Sequence, residues 1–400
     1  MDDVLYKIIG YNYTLSCDEK LSKCCINGKQ QDLANFKTES LVKVATVKDL
    51  LSFHETQYYN EFFRKFFKNI VVLAGAGTSV NNGSQKGKTR EELWKECNSE
   101  VTKILSLYKS DIKLKNIAED GNLENFLSRL AVLENAQDKE CVEKKLIEEK
   151  IRNNCSLRLN ENAPHLHFLN KITARKSSDP RVKIFTTNYD TLFEQAANRG
   201  AFVVIDGFSF TQPRTFSGRY FDLDIVNREK TRLKHEDNFI TKVFHLYKLH
   251  GSLIWEKKDS VIMQNDNTSD PLIVYPANNK FESSFEQPYF EMMSRFQNIL
   301  RQENLMLIVV GFGFQDKHIQ NIILEAVDQN SSFHLVIIDY NKENGIDCKK
   351  YKDNLKLITE DEDFGYRPKR NVTILFNDFE GLTKLYPDNK TYASDSYEHI

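Results

Sequence analysis

The chain has 400 residues, 40% of them hydrophobic, and 55 Lys and Arg residues nearly balance 57 Asp and Glu residues at a net charge of −2. This length can bury a large core in one or two domains, and the balanced charge gives no electrostatic sign of nucleic-acid binding. The longest apolar run, residues 305–314, is too short to span a bilayer, and the acidic start Met1-Asp2-Asp3 does not resemble a signal peptide. We therefore expect a cytoplasmic protein that binds neither membranes nor nucleic acids.

Residues 1–65 predict an N-terminal extension, first β-rich and then helical. In the helical stretch "DLLSFHETQYYNEFFRKFFKN", Phe62 pairs with Phe66 and Phe63 with Phe67 at helical spacing. Strand edges in such an extension can pair with another chain. We therefore expect this segment to serve assembly, as a homo-oligomer or with a partner protein.

Residues 66–387 predict an α/β domain. The run Val71-Val72-Leu73 is typical of a strand buried on both faces and leads into a glycine-rich turn. Residues of about 110–175 form a predicted helical module, and beyond it short strands and helices alternate, which favours a parallel sheet. The fold class is therefore a Rossmann-like, doubly wound parallel sheet with a helical insertion, followed by a polar tail at 388–400.

Polar clusters follow the predicted strands. They are Gly75 to Ser79, Thr187 to Asp190, His250 to Ser252, Gly311 to Asp316, and Asp339 at the end of a fifth strand. Ligands of doubly wound sheets bind beyond the carboxyl ends of the strands, so these clusters are expected to converge on one rim. Each residue also has an ordinary structural interpretation: Asn188 or Asp190 could cap the following helix, and His250 could bond to the backbone of a turn.

The motifs, taken in order, resemble those of the sirtuin family. G-A-G-x-S follows one strand, T-x-N-x-D the next, and H-G and then G-x-G come later. The chain looks most like the bacterial sirtuin-like NAD hydrolases of anti-phage defence, over about Val71 to Tyr340. This resemblance implies a Rossmann-type domain that binds NAD without the G-x-G-x-x-G motif.

The resemblance also implies roles for individual residues. Asn188 and His250 would be catalytic, with His250 near the ribose hydroxyls and Asn188 by the nicotinamide ribose. The further residues expected to bind the cofactor are Gly75, Ala76, Gly77 and Ser79 at the pyrophosphate, Asp190 at the nicotinamide ribose, Gly311 and Phe312 along the adenosine, and Asp339 at the adenine ribose.

Two departures from the deacylating sirtuins weaken the case for an acyl-lysine substrate. The stretch I-P-D-F-R after the glycine turn is replaced by "VNNGSQKGK", and the seven cysteines contain no C-x-x-C pair, so no zinc is expected. The resemblance therefore implies an NAD hydrolase that depletes NAD in abortive infection. A protein deacylase, an ADP-ribosyltransferase and a non-catalytic sensor of NAD or an ADP-ribose derivative stay open as alternatives.

The chemistry of NAD hydrolysis suits these residue types. Loss of nicotinamide, a neutral leaving group, develops positive charge on the ribose, so the site must hold the ribose and deliver a nucleophile to C1′. A water placed by the amide of Asn188 and deprotonated by His250 would be sufficient. In related defence systems the partner can be a HerA-type ATPase or another phage-sensing protein, and no residue of this chain identifies it.

Overall fold

The computed structural model describes residues 4–18, 20–33, 44–121, 123–137, 141–176, 178–227, 239–268, 270–273, 287–340 and 349–388. Cys348 and residues 389–400 of the predicted tail lie outside these ranges. The strands, in chain order, are β1 Val4–Gly10, β2 Tyr13–Asp18, β3 Cys24–Ile26, β4 Lys29–Gln31, β5 Asn69–Ala74, β6 Lys183–Thr186, β7 Val203–Ile205, β8 Val243–Lys248, β9 Trp255–Lys258, β10 Val261–Gln264, β11 Leu305–Val310, β12 Phe333–Asp339, β13 Ile358–Asp361, β14 Gly365–Pro368 and β15 Val372–Phe376.

The α-helices lie partly between these strands and partly in one run between β5 and β6. They are α1 Val47–Phe63, α2 Gly77–Val80, α3 Arg90–Glu96, α4 Asn98–Leu107, α5 Ile112–Glu119, α6 Leu123–Gln137, α7 Val142–Cys155, α8 His165–Ile172, α9 Leu192–Arg199, α10 Tyr289–Leu300, α11 Lys317–Gln329 and α12 Phe379–Leu385. The chain divides into two compact units, the first made of Met1–Leu73, Asn170–Val182 and Ile299–Ile400, the second of Ala74–Leu169 and Lys183–Asn298.

The first unit has a mixed sheet. Its strand order is β4-β3-β2-β1-β15-β12-β11-β5, in which β11, β12 and β15 run parallel and the four N-terminal strands are antiparallel. The predicted β-rich start of the chain is therefore present and extends the sheet through β1. Asp339 ends β12 directly beside Phe376, the last residue of β15, so the carboxyl ends of these parallel strands lie at one edge.

The second unit has parallel strands in the order β6-β8-β7 and an antiparallel hairpin, β9–β10. β8 is inserted between the two strands that the strand–helix–strand segment 183–205 contributes. Thr186 and Lys248, the last residues of β6 and β8, are register partners. The parallel pairs and alternating helices of both units confirm the predicted α/β, Rossmann-like class.

The helices of the second unit include a separate hydrophobic core. The buried residues of this core are Cys97, Val101, Ile104, Leu114, Leu123, Phe126, Leu127, Leu130, Cys141, Ile147 and Ile151. The three-residue spacing of Thr89 and Glu92 in the sequence predicts a capping box, and it is present at the start of α3, since the Thr89 side chain accepts from the Glu92 N–H and the Glu92 side chain accepts from the Thr89 N–H. The core thus draws on α4 as well as on the helices of the predicted module.

The predicted extent of α1 is wrong. The helix ends at Phe63, and Phe66 lies beyond it with 68% of its surface exposed. The helix starts at a complete capping box between Thr46 and Asp49. The chain leaves the helix after Phe63 because residues 64–68 must turn into the buried strand β5, which begins at Asn69. The aromatic spacing beyond Phe63 therefore carried no helix.

His165, at the start of α8, is fully buried against the edge of the Phe193 ring, with ring centroids 5.2 Å apart. Burial lowers the pKa of His165 to about 4, and Asp190 opposes this shift. Unfolded chain takes up the proton near pH 6.5, so the free energy of unfolding should fall as pH drops from 6.5 towards 4.

Replacing His165 by Phe should flatten this pH dependence, because the variant has no imidazole to protonate on unfolding. Chemical denaturation of the wild-type protein and of the variant between pH 4 and 8 measures how the free energy of unfolding depends on pH. The carboxylates contribute equally to the pH dependence of both proteins. Equal slopes below pH 6.5 would contradict the assignment. Each unit of difference between the pKa of His165 in the folded and unfolded chain corresponds to about 1.4 kcal/mol in the free energy of unfolding.

Candidate functional site

The glycine-rich turn that follows β5 is closed by its own hydrogen bonds. The N–H of Thr78 donates to the Gly75 carbonyl and that of Ser79 to the Ala76 carbonyl, both at 3.0 Å. The Thr78 hydroxyl also donates to the Gly75 carbonyl at 2.8 Å. Thr78 is the first residue of the turn whose N–H donates to a carbonyl of the turn. The N–H groups of Ala76 and Gly77 come before it, at the start of the turn, where backbone N–H groups can donate to a ligand.

The side chain of Asn188 joins this turn to the loop after β6. Its amide nitrogen lies 3.0 Å from the Gly75 carbonyl oxygen, 3.1 Å from Thr78 Oγ1 and 3.0 Å from Ser79 Oγ. A carbonyl oxygen can only accept, so the amide orientation is fixed, with the nitrogen towards the turn. Within the described residues no hydrogen bond reaches Oδ1 of Asn188, which is therefore able to accept a hydrogen bond from a hydroxyl group or a water.

Ser79 and Asp190 form a second link between the same two loops. The Ser79 hydroxyl donates to Asp190 Oδ2 at 2.6 Å, and Asp190 Oδ1 accepts from the Leu192 N–H at 3.1 Å. Both side chains are buried. The Ser79 proton and both oxygens of Asp190 are thus engaged inside the protein, which favours a positioning role for these two residues over direct contact with a ligand.

His250 lies in a tight turn at the end of β8. The Leu249 N–H donates to the Thr186 carbonyl at 2.8 Å, and the Gly251 N–H donates to the Lys248 carbonyl at 3.1 Å. The turn therefore starts level with the end of β6, just before Asn188. Next to it, the Ser252 hydroxyl is fully buried and has no hydrogen-bond partner within the described residues, a situation in which a buried polar group is costly unless a ligand or water satisfies it.

Lys248 is buried beneath the same loop. Its ammonium group contacts the Tyr189 carbonyl at 3.4 Å, the Asp190 carbonyl, and Glu194 Oε1 at 2.9 Å. Burial raises the pKa of Glu194, and the nearby lysine opposes that shift. Sequence reasoning missed both residues, although a lysine at the end of an otherwise apolar strand is an unusual signal.

The remaining predicted residues lie in the first unit, at the ends of β11 and β12. Gly311 has a φ of +65°, which glycine adopts without strain. The half-buried Phe312 packs edge-on against Phe314, with centroids 5.4 Å apart. Phe312 therefore offers an aromatic face beside a main chain that a ligand can approach closely.

Asp339 ends β12 and is about one-third exposed. Its Oδ2 accepts from the Tyr351 hydroxyl and lies 3.5 Å from Lys350 Nζ. Within the described ranges, Oδ1 has no hydrogen-bond partner and can accept from a ribose hydroxyl. No sequence signal pointed to Tyr351, because 12 residues separate it from Asp339.

The structure brings together the glycine turn, Asn188 and Asp190, and it places the His250 turn at the adjacent strand end. Gly311, Phe312 and Asp339 lie in the first unit, at the carboxyl ends of β11 and β12. That both sets hold one dinucleotide stays a prediction. In the part of the chain that the structure describes, no group of three His, Cys, Asp or Glu side chains could hold a metal ion, and no helix is long and apolar enough to cross a bilayer.

Residues 182–359 match the family model for the SIR2-like domain. The match covers slightly less than half of the chain and includes Asn188, Asp190, His250, Gly311, Phe312 and Asp339, while the turn at Gly75 to Ser79 precedes it. It supports a sirtuin-like family and an NAD-related enzymatic function, since SIR2-like domains use NAD. No curated protein matches the chain.

Gly251 is the position at which the His250 turn tolerates no side chain. Its φ is +84°, and a Cβ atom there would lie 2.2 Å from the Leu272 carbonyl oxygen. Gly251→Ala should therefore lower the free energy of unfolding by about 1–3 kcal/mol or more. It should also displace His250.

The matched control for this substitution is Gly313→Ala, where the nearest atom to an added Cβ lies at 3.7 Å and belongs to the Gln315 side chain. Denaturant unfolding measures both variants. Equal stabilities for the two would show that the turn can rearrange and that Gly251 does not constrain it.

Proposed function

We propose that this protein is an NAD glycohydrolase that cleaves NAD to nicotinamide and ADP-ribose. The observation that carries the proposal is the fixed amide of Asn188. Its nitrogen is committed to the glycine turn, so its oxygen is the group left to orient a water or a ribose hydroxyl. The His250 turn at the neighbouring strand end supplies an imidazole that can act as the general base.

The reaction asks little more of the protein. Because nicotinamide leaves as a neutral pyridine, no strong acid is required, and the main tasks are to hold the ribose and to place the nucleophile at C1′. In our proposal the Asn188 oxygen accepts a hydrogen bond from the attacking water or from a ribose hydroxyl, and His250 removes a proton from the water as its oxygen bonds to C1′ and the bond from C1′ to nicotinamide breaks. Ser79 and Asp190 keep Asn188 in place, a narrower role than direct cofactor binding.

We assign the pyrophosphate of NAD to main-chain N–H groups of the glycine turn, and the adenosine to residues of the first unit. The N–H groups of Ala76 and Gly77 are the donors that we assign to the pyrophosphate, as turns of this kind commonly bind anions. Phe312 would lie against the adenosine, and Asp339 Oδ1 would accept from the adenine ribose, the usual task of an acidic residue at that strand end.

The segment after the glycine turn favours hydrolysis over deacylation. Where deacylating sirtuins carry I-P-D-F-R, the loop here folds back, with the Gly87 N–H donating to the Ser79 carbonyl at 2.9 Å. A Cβ atom at Gly87 would lie 2.6 Å from that of Ser79. The sequence also lacks the four-cysteine ribbon. A role in anti-phage defence through NAD depletion, and a HerA-type ATPase or other phage-sensing partner, rest on the resemblance alone.

Replacing Asn188 or His250 by Ala should lower the rate of nicotinamide release by about 10²-fold or more, following the usual contribution of positioning groups and general bases. The affinity for NAD should change far less, because both side chains act mainly in the transition state. The double variant should be little worse than either single one. Calorimetry with NAD and a nicotinamide assay on each variant measure the two quantities.

Asn198→Ala and His318→Ala are the matched controls, since both side chains are exposed on helices α9 and α11, and each should retain wild-type rates. A bulky residue at Gly75 or Gly77 should abolish NAD binding itself. The sensor alternative would be favoured if the purified protein binds NAD without releasing nicotinamide, and if cells that express it keep their NAD content. Turnover of an acetylated peptide that requires NAD and His250 would favour a deacylase.

Homo-oligomer formation stays part of the proposal, but the edge strand of the N-terminal extension does not favour the contact through strand edges that the sequence predicts. The edge strand β4 is only three residues long and polar, "KQQ", which is how proteins block edge-to-edge pairing. Since this edge is blocked, we expect the contact between copies to lie elsewhere, and Lys29→Ala should leave the oligomeric state unchanged. Light scattering at micromolar concentration measures it, and a monomer in the wild-type protein would refute assembly.

A further inference from the structure

Lys248 is the most deeply buried lysine among the side chains that the structure describes, with 2% of its surface exposed. It is the last residue of β8, a strand in which every residue is buried. A lysine in such a place is rare unless the ammonium group is paired, because removing its charge from water is expensive.

The ammonium group is fully engaged. It has three protons and three acceptors: Glu194 Oε1 at 2.9 Å, the Tyr189 carbonyl at 3.4 Å and the Asp190 carbonyl. Glu194 lies in the first turn of α9 and neutralises the charge. The two carbonyls belong to the loop that carries Asn188. The lysine therefore donates two of its three hydrogen bonds to the backbone of this loop.

This loop is therefore held from two directions. The side chains of Asn188 and Asp190 attach it to the glycine turn, and Lys248 attaches its main chain to β8. The main chain of Lys248 leads directly into the turn that contains His250, and its carbonyl accepts from the Gly251 N–H at 3.1 Å. One residue thus connects the backbone of both proposed catalytic side chains.

We propose that Lys248 is a positioning residue that sets the Asn188 loop against the His250 turn, with Glu194 as its neutralising partner. The inference rests on the proposed hydrolase function. Lys248 acts through Asn188 and need not touch the substrate. A displacement of about 1 Å in a catalytic group can cost 10²-fold in rate, so loss of the two carbonyl bonds should reduce turnover while the fold persists.

A purely structural ion pair would behave differently. Replacement of a buried pair by apolar groups is often neutral for stability, whereas removal of one partner is costly. Lys248→Met combined with Glu194→Leu therefore removes the charges together and should retain the fold. Lys248→Arg keeps the positive charge and should restore part of the activity that Lys248→Met loses.

The decisive experiment is a double-mutant cycle between Lys248→Met and Asn188→Ala, scored by the rate of nicotinamide release and by NAD affinity. Lys248→Met alone should lower the rate about tenfold or more and change the affinity less than about threefold. In the Asn188→Ala background it should lower the rate no further, because the group it positions is gone. Lys242→Met is the control, an exposed lysine just before the same strand.

A second measurement separates failure of this inference from failure of the proposed function. Hydrogen exchange of the amides of residues 187–192 should accelerate in Lys248→Met and in the milder Glu194→Gln, with other amides of the second unit unchanged, whether or not NAD is hydrolysed. Additive rate losses in the cycle, or exchange that stays unchanged or rises evenly through the unit, would overturn the positioning role. A wild-type protein that never hydrolyses NAD refutes the function alone.

Discussion

The hydrogen bond from the Asn188 amide to the Gly75 carbonyl is the interaction on which the rest of the candidate site depends. It crosses from the loop after β6 to the turn after β5, and the hydroxyls of Thr78 and Ser79 complete the same junction. Each hydroxyl gives its own proton elsewhere, to the Gly75 carbonyl and to Asp190. Both are therefore left as acceptors, and the direction of every bond in the junction is determined.

That directionality matters because the site is buried. A polar group in such a place is stable only when it is satisfied, and a network with one wrong donor would be worse than an apolar core. Asn188 Oδ1 accepts no hydrogen bond from the described residues, but it does not belong to the fully buried atoms that lack a partner. Ser252, close to the same loop, has a buried hydroxyl with no hydrogen-bond partner among the described residues. Unsatisfied polar atoms beside a rigid network are the usual sign of a place prepared for a ligand.

The buried charges of the second unit are also paired or hydrogen-bonded. Lys248 could not be buried without Glu194 and the two loop carbonyls, and Asp190 accepts from both a hydroxyl and a backbone N–H. Each charge therefore contributes to the placement of loop 187–191. In the first unit Asp339 is arranged differently, because Tyr351 holds one of its oxygens and the other accepts no hydrogen bond from the described residues. The carboxylate of Asp339 can therefore bind a ligand, whereas that of Asp190 connects two loops.

The sequence by itself determined the alternation of strands and helices, the buried strands β5 and β11, the capping box of α3, and the order of the four polar motifs. These are local properties, set by side-chain periodicity and turn chemistry over a few residues. It also predicted that Asn188 and His250 lie beyond the carboxyl ends of parallel strands, which meet at one edge, while the structure shows that the two strands are neighbours. It failed for α1, where the aromatic spacing continued past the last residue of the helix.

Only the tertiary structure decided what the side chains do. Asn188 could have capped α9, and its spacing alone could not exclude that, because the choice depends on Gly75, 113 positions away. The helix start is instead served by Asp190. The same reason hid Lys248, whose partners become neighbours only when β8 inserts between β6 and β7. Local propensity acts along the chain, whereas the satisfaction of a buried polar group is settled by whatever the fold brings within 3 Å.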